Sequence, residues 1–461
     1  DGSELNTQQT FDFGSREFGT SYIGRVAYNY REKYLFYSSY RRDGTNKFSE
    51  KWGNFFTVGG GWVVSEESFF DIAGVNFLKL RAGWGQVGND GIAPAIGQTT
   101  FEQTSLVIGD QLVTGVRPDN IFDLIDTWET TEEINIGLSA RFLNNRLSFE
   151  ADLYQRDTEN AVLPVEQPGT GEFPRRNAGS IRNEGLEIAL GWNDNINSNL
   201  SYSVAANVSF LDNEVLSVGD QPFLNGGSAE FRQISEPGSS LNEFFGFEVN
   251  GVFQTNEQIQ NSGYTEDFIN SNNLVPGDLF FRDQNDDGVI NADDRVYLGS
   301  FIPSYTFGLN LGLTYKNLSF STYIQGQGGN TILNRKRGEI IFTQDTNIDA
   351  DLANNFWTEA GSTNEYPSAA GYRKPYNNGQ LSEFLLEDGD YWRVQNVRVA
   401  YNFVNKNLLG VNLPNTTISF TAERPLTVFD YNGFNPEVAN GVDRQTYPVP
   451  AVYTLGLNVR L

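Results

Sequence analysis

The segment Ser304–Gln325 predicts a pair of antiparallel strands joined by a tight turn. Apolar side chains occupy every second position of its first arm, at Phe307, Leu309, Leu311, Leu313 and Tyr315. Such alternation gives a strand one apolar face and one polar face. Each arm is about 10 residues long, the length that a tilted strand needs to cross a bilayer. A water-soluble β-sandwich alternates in the same way, so this segment alone leaves both folds open.

The same alternation recurs in about thirteen segments of the chain, and this repetition favours the membrane. In the segment 147–154 the polar face carries Glu150 and Asp152. Charged residues in mid-strand suit a water-filled lumen better than a dry core. We therefore predict an all-β fold, a transmembrane antiparallel β-barrel. Single-chain bacterial barrels have even strand numbers, so the odd count predicts further strands outside this chain.

The connections between the predicted strands are alternately short and long. If the last strand ends in the periplasm, every short connection is periplasmic and every long one extracellular, which is the known asymmetry of outer-membrane barrels. The two largest insertions span 212–303 and 328–390. We therefore expect a multi-pass protein of the bacterial outer membrane, in contact with lipid, that carries two large extracellular loop insertions.

Charge and residue content exclude several classes of function. The 461 residues hold 32 Lys and Arg against 58 Asp and Glu, a net charge of −26, whereas nucleic-acid binding needs clustered basic residues. Cysteine and histidine are absent, which removes thiol chemistry, the usual zinc ligands and the commonest general base. No Gly-x-Ser-x-Gly or Ser-x-x-Lys motif occurs. We expect neither an enzyme nor a nucleic-acid partner.

The acidic run from Asp283 to Asp294 has the spacing of a calcium-binding loop. The positions that supply oxygen ligands in such a loop are occupied by Asp283, Asn285, Asp287, Val289 (through its carbonyl), Asn291 and Asp294. Gly288 stands where the loop needs a sharp turn. The last ligand is Asp instead of the usual Glu, and no flanking helices are predicted, so an Asx-rich turn that needs no ion is the alternative. A calcium ion here would be structural.

Aromatic residues in the two large insertions are candidates for contact with a substrate. They are Phe244, Phe245, Trp357 and Tyr372. Aromatic rings stack on sugars and grip peptide side chains. The alternative, which we favour, is that they pack one insertion against the other, because long ordered loops need a core of their own.

Eight runs of sequence resemble the carboxy-terminal portion of the SusC/RagA family of TonB-dependent outer-membrane transporters from Bacteroidetes. They follow the family's order and cover nearly the whole chain: YNYREKYLFYSSYRRDGTNKF (28–48), KWGNFFTVGGGWVVSEESFF (51–70), WETTEEINIGL (128–138), LNEFFGFEVNGVFQT (241–255), PGDLFFRDQNDDGVINADDRVYLGSFIPSYTFGLNLGL (276–313), LEDGDYWRVQNVRVAYNF (386–403), FDYNGFNPEV (429–438) and YPVPAVYTLGLNVRL (447–461). The chain departs from the family at its last residue, Leu461 instead of an aromatic one, and at Arg424 and Pro425, which replace an Asn-Leu pair.

The resemblance implies a 22-stranded barrel with a plugged lumen, of the size known for outer-membrane transporters. Residues 1–461 would then be the carboxy-terminal part of the barrel, and the plug, the TonB box and the first strands would lie outside this chain. It also implies TonB-energised import of an oligosaccharide or an oligopeptide, with a SusD-like surface lipoprotein as a lid. The alternatives are a passive porin, a structural or adhesive barrel, and a soluble glycan-binding β-protein.

Overall fold

Thirteen antiparallel strands form one continuous sheet, in which the strands pair in chain order and, among the described residues, the first and the last strand pair on one side only. The structure is a computed structural model that describes residues 17–92, 100–109, 111–120, 123, 125–165, 174–227, 231–337, 350–371, 374–403, 407–408, 411–412, 415–444 and 446–460. The strands of the sheet are, in order, β1 (Gly19–Tyr30), β2 (Tyr34–Thr45), β3 (Trp52–Val63), β4 (Val75–Asn89), β7 (Glu129–Phe142), β8 (Leu147–Pro164), β9 (Arg175–Asn197), β10 (Leu200–Val218), β17 (Tyr305–Tyr315), β18 (Leu318–Gly328), β21 (Tyr391–Phe403), β24 (Asn415–Phe429) and β26 (Val452–Arg460). The predicted strand number is confirmed.

The register of the sheet collects the alternating apolar residues on one face. Val204 of β10 lies opposite Trp192 of β9 on one side and opposite Leu311 of β17 on the other. In the same way Leu80 of β4 lies between Trp62 and Leu138. Since side chains alternate across a strand, a register shift of one residue would move every side chain of that strand to the opposite face of the sheet. The consistent pairing therefore builds one apolar face and one polar face across all thirteen strands.

Several strands are longer than the alternation predicts. The apolar pattern of β9 covers Leu186 to Trp192, whereas the strand runs for 23 residues. Its partner β10 continues to Val218, so the first large insertion begins later than residue 212. The alternation marks only the part that faces lipid, because backbone pairing continues beyond the bilayer, where side chains on either face are free to be polar.

The two large insertions fold together into one compact unit, which we call the outer domain. Its strands and helices, including those of the connection after β24, are β11 (Leu224–Gly227), β12 (Arg232–Ser235), β13 (Glu243–Phe247), β14 (Val249–Val252), α1 (Asn256–Gln260), α2 (Glu266–Ser271), β15 (Leu279–Phe281), β16 (Arg295–Gly299), β19 (Thr331–Asn334), α3 (Ala350–Asn355), α4 (Pro375–Asn378), β20 (Leu386–Asp388) and β25 (Val442–Asp443). Elsewhere in the described residues, two short hairpin pairs complete the strand set: β5 (Thr100–Ile108) with β6 (Gln111–Asn120), and β22 (Asn407–Leu408) with β23 (Val411–Asn412).

Buried contacts and hydrogen bonds join the two insertions of the outer domain. The core contains side chains from both, among them Phe244, Phe247, Leu352 and Leu385, each almost fully buried. The Phe247 N–H donates to the carbonyl of Leu381 across the two insertions at 3.0 Å. The outer domain therefore has a hydrophobic core of its own, separate from the apolar face of the sheet.

Within the described residues, every helix is too short or too polar to cross a bilayer.

Candidate functional site

Charged side chains line the polar face of the sheet in cross-strand pairs. The Arg81 guanidinium of β4 reaches across β7 to the carboxylate of Asp152 on β8, with Nε 3.1 Å from Oδ1. Arg156 of β8 pairs with Glu133 of β7 at 2.7 Å. Such pairs face water, as the alternation of charged residues predicts for a lumen.

A concave surface of about 830 Å³ lies along this polar face. It is lined by Tyr37, Arg81 and Arg156, and by glycines of β3 and β4. A Cβ on Gly59 would overlap the ring of Tyr37, so the absence of a side chain at that position lets the ring lie flat against the wall. The arrangement offers a polar, mixed-charge surface toward whatever occupies the lumen.

The aromatic substrate candidates lie in different environments within the outer domain. Phe244 has no exposed surface and belongs to the core. Trp357 packs against the same core and donates its indole N–H to the side-chain oxygen of Gln254 at 3.1 Å. Phe245 is half-buried and lies 5.1 Å, centroid to centroid, from the ring of Tyr297.

The packing seen here agrees with the alternative that aromatic side chains join the insertions. Contact of Phe244, Phe245 or Trp357 with a substrate stays a prediction. Tyr372 lies outside the described residues.

The run from Asp283 to Asp294 folds as a tight loop. All five candidate ligands that act through side chains accept hydrogen bonds from backbone N–H groups of the same loop: Asp283 from Gly288, Asn285 from Asp287, Asp287 from Val289, Asn291 from Asp293, and Asp294 from Gln284 and Asn291. Gly288 has φ +79°, the left-handed region that a glycine adopts without strain.

Three observations bear on calcium binding by this loop. The Oδ1 atom of Asp283 is buried and accepts no hydrogen bond from the described residues, so one carboxylate oxygen is available to an ion. Both oxygens of the fully buried Asp294 already accept backbone N–H groups. Among the described residues, no three Asp or Glu side chains converge as a metal site would need. The donor chemistry suits Ca²⁺, and calcium binding stays a prediction.

An acidic cavity of about 730 Å³ opens in the outer domain, where the two large insertions meet the connection after β24. Its carboxylates come from five separate stretches of the chain: Asp351, Glu365, Glu383, Glu387 with Asp388, and Asp430. Sequence reasoning missed this cavity because none of these stretches carries a motif of its own.

A buried cation holds the wall of the acidic cavity together. The guanidinium of Arg337 lies 3.1 Å from Asp351 Oδ2 and 3.1 Å from Glu387 Oε1. The hydroxyl of Tyr366 donates to the same oxygen of Asp351 at 2.8 Å. Burial raises the pKa of Tyr366, so the phenol stays a hydrogen-bond donor. The remaining carboxylates leave the cavity with an excess of negative charge.

Most of this chain's length matches known proteins. The family described as "TonB dependent receptor-like, beta-barrel" matches residues 4–423. The TonB-dependent receptor P26 of Formosa agariphila is 31% identical over 95% of this chain and 46% of its own length. The TonB-dependent receptor SusC of Bacteroides thetaiotaomicron is 25% identical over 97% of this chain and 44% of its own length.

The fold is also similar to that of solved transporters. The structure of the RagAB peptide transporter superposes with a TM-score of 0.76, at 22% identity, over 96% of this chain and 47% of that one. The chain thus spans about half the length of the relatives that it matches. The family match, the thirteen-strand sheet and its two contrasting faces lead to one conclusion. The chain belongs to the family of TonB-dependent receptor-like β-barrels.

Proposed function

We propose that this chain forms the wall and the outer domain of a TonB-dependent transporter of the outer membrane that imports an oligosaccharide or an oligopeptide. The observation that carries the proposal is the two-faced sheet, apolar outside and charged inside, which continues into a folded outer domain. An apolar face of this width is stable only against lipid. The polar face and the cavities of the outer domain supply a surface for a hydrophilic cargo.

The outer domain is our candidate for the surface that meets a SusD-like lipoprotein. With the short connections in the periplasm, the two insertions project from the cell, where a surface lipoprotein would reach them. We test this partnership by purifying the full-length protein from native membranes in mild detergent. A lipoprotein present in equal amount supports it, and a protein that purifies alone under several mild detergents contradicts it.

Uptake by cells tests the transport step. A strain that lacks the gene is grown on oligosaccharides or on oligopeptides as the sole carbon source, with the intact gene restored as a control. We expect growth on one of the two classes to need both this gene and TonB. Growth that needs the gene but continues without TonB would instead identify a passive pore, and growth that never needs the gene would favour a structural or adhesive barrel.

A further inference from the structure

A small cavity with two arginines lies between the wall and the connection after β24. It has a volume of about 250 Å³ and is lined by Arg393 of β21 and Arg424 of β24, with apolar walls that include Phe434, Pro436 and Val449. The neighbour of Arg393, Trp392, belongs to the apolar face and is exposed. Because side chains alternate along a strand, Arg393 lies on the luminal side of the wall.

The guanidinium of Arg393 is almost completely buried, with 3% exposure. Its Nε donates to Thr427 Oγ1 at 3.0 Å and its Nη1 donates to Glu437 Oε2 at 2.6 Å. The third nitrogen, Nη2, is buried and has no acceptor among the described residues. A buried donor without an acceptor destabilises the folded protein, and a charged donor does so more strongly. The cavity is the space from which an acceptor could reach it.

Arg424 enters the same cavity through an irregularity in the sheet. The pairing of β21 with β24 shifts register between Val394 and Asn396, and opposite this shift Arg424 has φ +51°. An arginine whose backbone adopts the left-handed conformation is uncommon and indicates a local constraint. Its Nε is buried and, like Nη2 of Arg393, has no acceptor among the described residues.

The charges around the cavity do not balance. Glu437 is the carboxylate that contacts Arg393, and it also interacts electrostatically with Arg424. Burial alone would raise the pKa of Glu437, but hydrogen bonds from Tyr391 and Arg393 and the charges of both arginines hold it below its usual range. Glu437 is therefore ionised at neutral pH. Two guanidinium groups and one carboxylate leave a net charge of one positive unit.

We propose that this cavity binds a single carboxylate group of a soluble ligand on its way through the transporter. A carboxylate supplies the missing acceptors, balances the residual charge and suits the fork of an arginine. The apolar walls would hold the part of the ligand next to the carboxylate. The inference rests on the proposed function for the route by which the ligand enters. Arg393 is near the start of β21, which directly follows the second large insertion, so it lies at the extracellular end of the strand.

The test is a direct binding measurement on the full-length protein purified in detergent. Phenylacetate is titrated by calorimetry, and phenylacetamide, of the same shape but without charge, is the matched control. We expect phenylacetate to bind and the amide to bind at least about tenfold more weakly, since the amide cannot form the charge-assisted hydrogen bonds that the carboxylate forms. A cavity that holds only water would show no carboxylate binding, and equal binding of the amide would also overturn the proposal.

Three variants separate recognition from folding. Arg424→Gln should weaken phenylacetate binding by about tenfold or more, and Arg424→Lys should retain part of the affinity because it keeps the charge. Glu437→Gln should strengthen phenylacetate binding, because it removes the carboxylate that competes for the arginines. If Arg393 and Arg424 only stabilise the fold, this variant should not bind phenylacetate more strongly. Unchanged binding in Arg424→Gln overturns the proposal. Heat-modifiable gel mobility shows that each variant is folded, and the binding result stands whether or not uptake depends on TonB.

Discussion

At the scale of single residues, Phe244 and Phe245 are neighbours in sequence but lie in different environments. Phe244 has no exposed surface, whereas Phe245 is half-buried beside Tyr297. We expect Phe244→Ala to lower the free energy of unfolding of the outer domain by about 3–5 kcal/mol, because it leaves a cavity in the core. Phe245→Ala should cost clearly less. Protease digestion of the outer domain in the intact protein measures the difference, and equal sensitivity of the two variants would contradict it.

The calcium prediction has a matched pair of variants within one loop. Asp287 occupies a ligand position and Asp286, next to it, does not. Asp286 has φ +58°, a conformation that asparagine also tolerates, so Asp286→Asn is a clean control. If the loop binds calcium, the ion should stabilise the protein by about 2.7 kcal/mol at a hundredfold excess over its dissociation constant. Asp287→Asn should lose most of this gain, and Asp286→Asn should keep it.

Thermal unfolding with calcium and with a chelator measures the effect. A melting temperature that does not depend on calcium in the unmodified protein would leave the Asx-rich turn as the explanation of the motif. The side-chain oxygens of Asp283, Asn285 and Asp287 accept hydrogen bonds from backbone N–H groups of the loop, and such bonds hold Asx-rich turns that contain no ion.

At the scale of elements, β17 allows its two faces to be compared within one strand. Leu311 lies on the apolar face, opposite Val204 and Thr322, and Asn310 lies on the polar face, opposite Ala205 and Tyr323. An arginine on the lipid face costs about 2–4 kcal/mol at the bilayer midplane. We expect Leu311→Arg to reduce the heat-modifiable, membrane-inserted fraction and Asn310→Arg to leave it nearly unchanged. The reverse order would mean that the faces are assigned the wrong way round.

The connection after β24 should respond to acid through Glu437. Its carboxyl pKa is lowered in the folded protein, so the stabilisation is present above the unfolded pKa of about 4.3 and is lost as the pH falls through the lower folded value. We expect protease cleavage of this connection to rise in that acidic range. Since other carboxyls titrate there too, the control is Glu437→Gln, which should show a smaller change with pH. An identical pH dependence in both proteins would exclude this role of Glu437.

The sequence allows the strands to be predicted more fully than the outer domain. Strand positions follow from the alternation of residues such as Leu309 and Leu311, because lipid imposes one rule on every strand. The length of β9 did not follow from it, since outside the bilayer that rule no longer applies. The pairing of Phe247 with Leu381 was also beyond prediction, because it joins stretches far apart in the chain and has no periodic signal.

At the scale of the whole molecule, the candidate sites show the same limit. The loop at Asp283 could be found because its residues are consecutive. The acidic cavity around Arg337 and the cavity of Arg393 and Arg424 are assembled from separate segments, and only the fold brings those segments together. The departure at Arg424 and Pro425 was visible in the sequence, but its consequence, a left-handed residue opposite a register shift, was not.

The outer edges of the sheet lead to a prediction about assembly. Within the described residues, β1 and β26 are the outermost strands and pair on one side only. Each unsatisfied backbone group in lipid costs several kcal/mol, so a bilayer does not tolerate two open edges. The relatives that the chain matches are about twice as long, which is enough for further strands. We therefore expect these 461 residues, expressed by themselves, to give no heat-modifiable species, and co-expression with a chain that supplies further barrel strands to restore it. A heat-modifiable species from the 461 residues alone would mean that β1 and β26 pair with each other and close a smaller barrel.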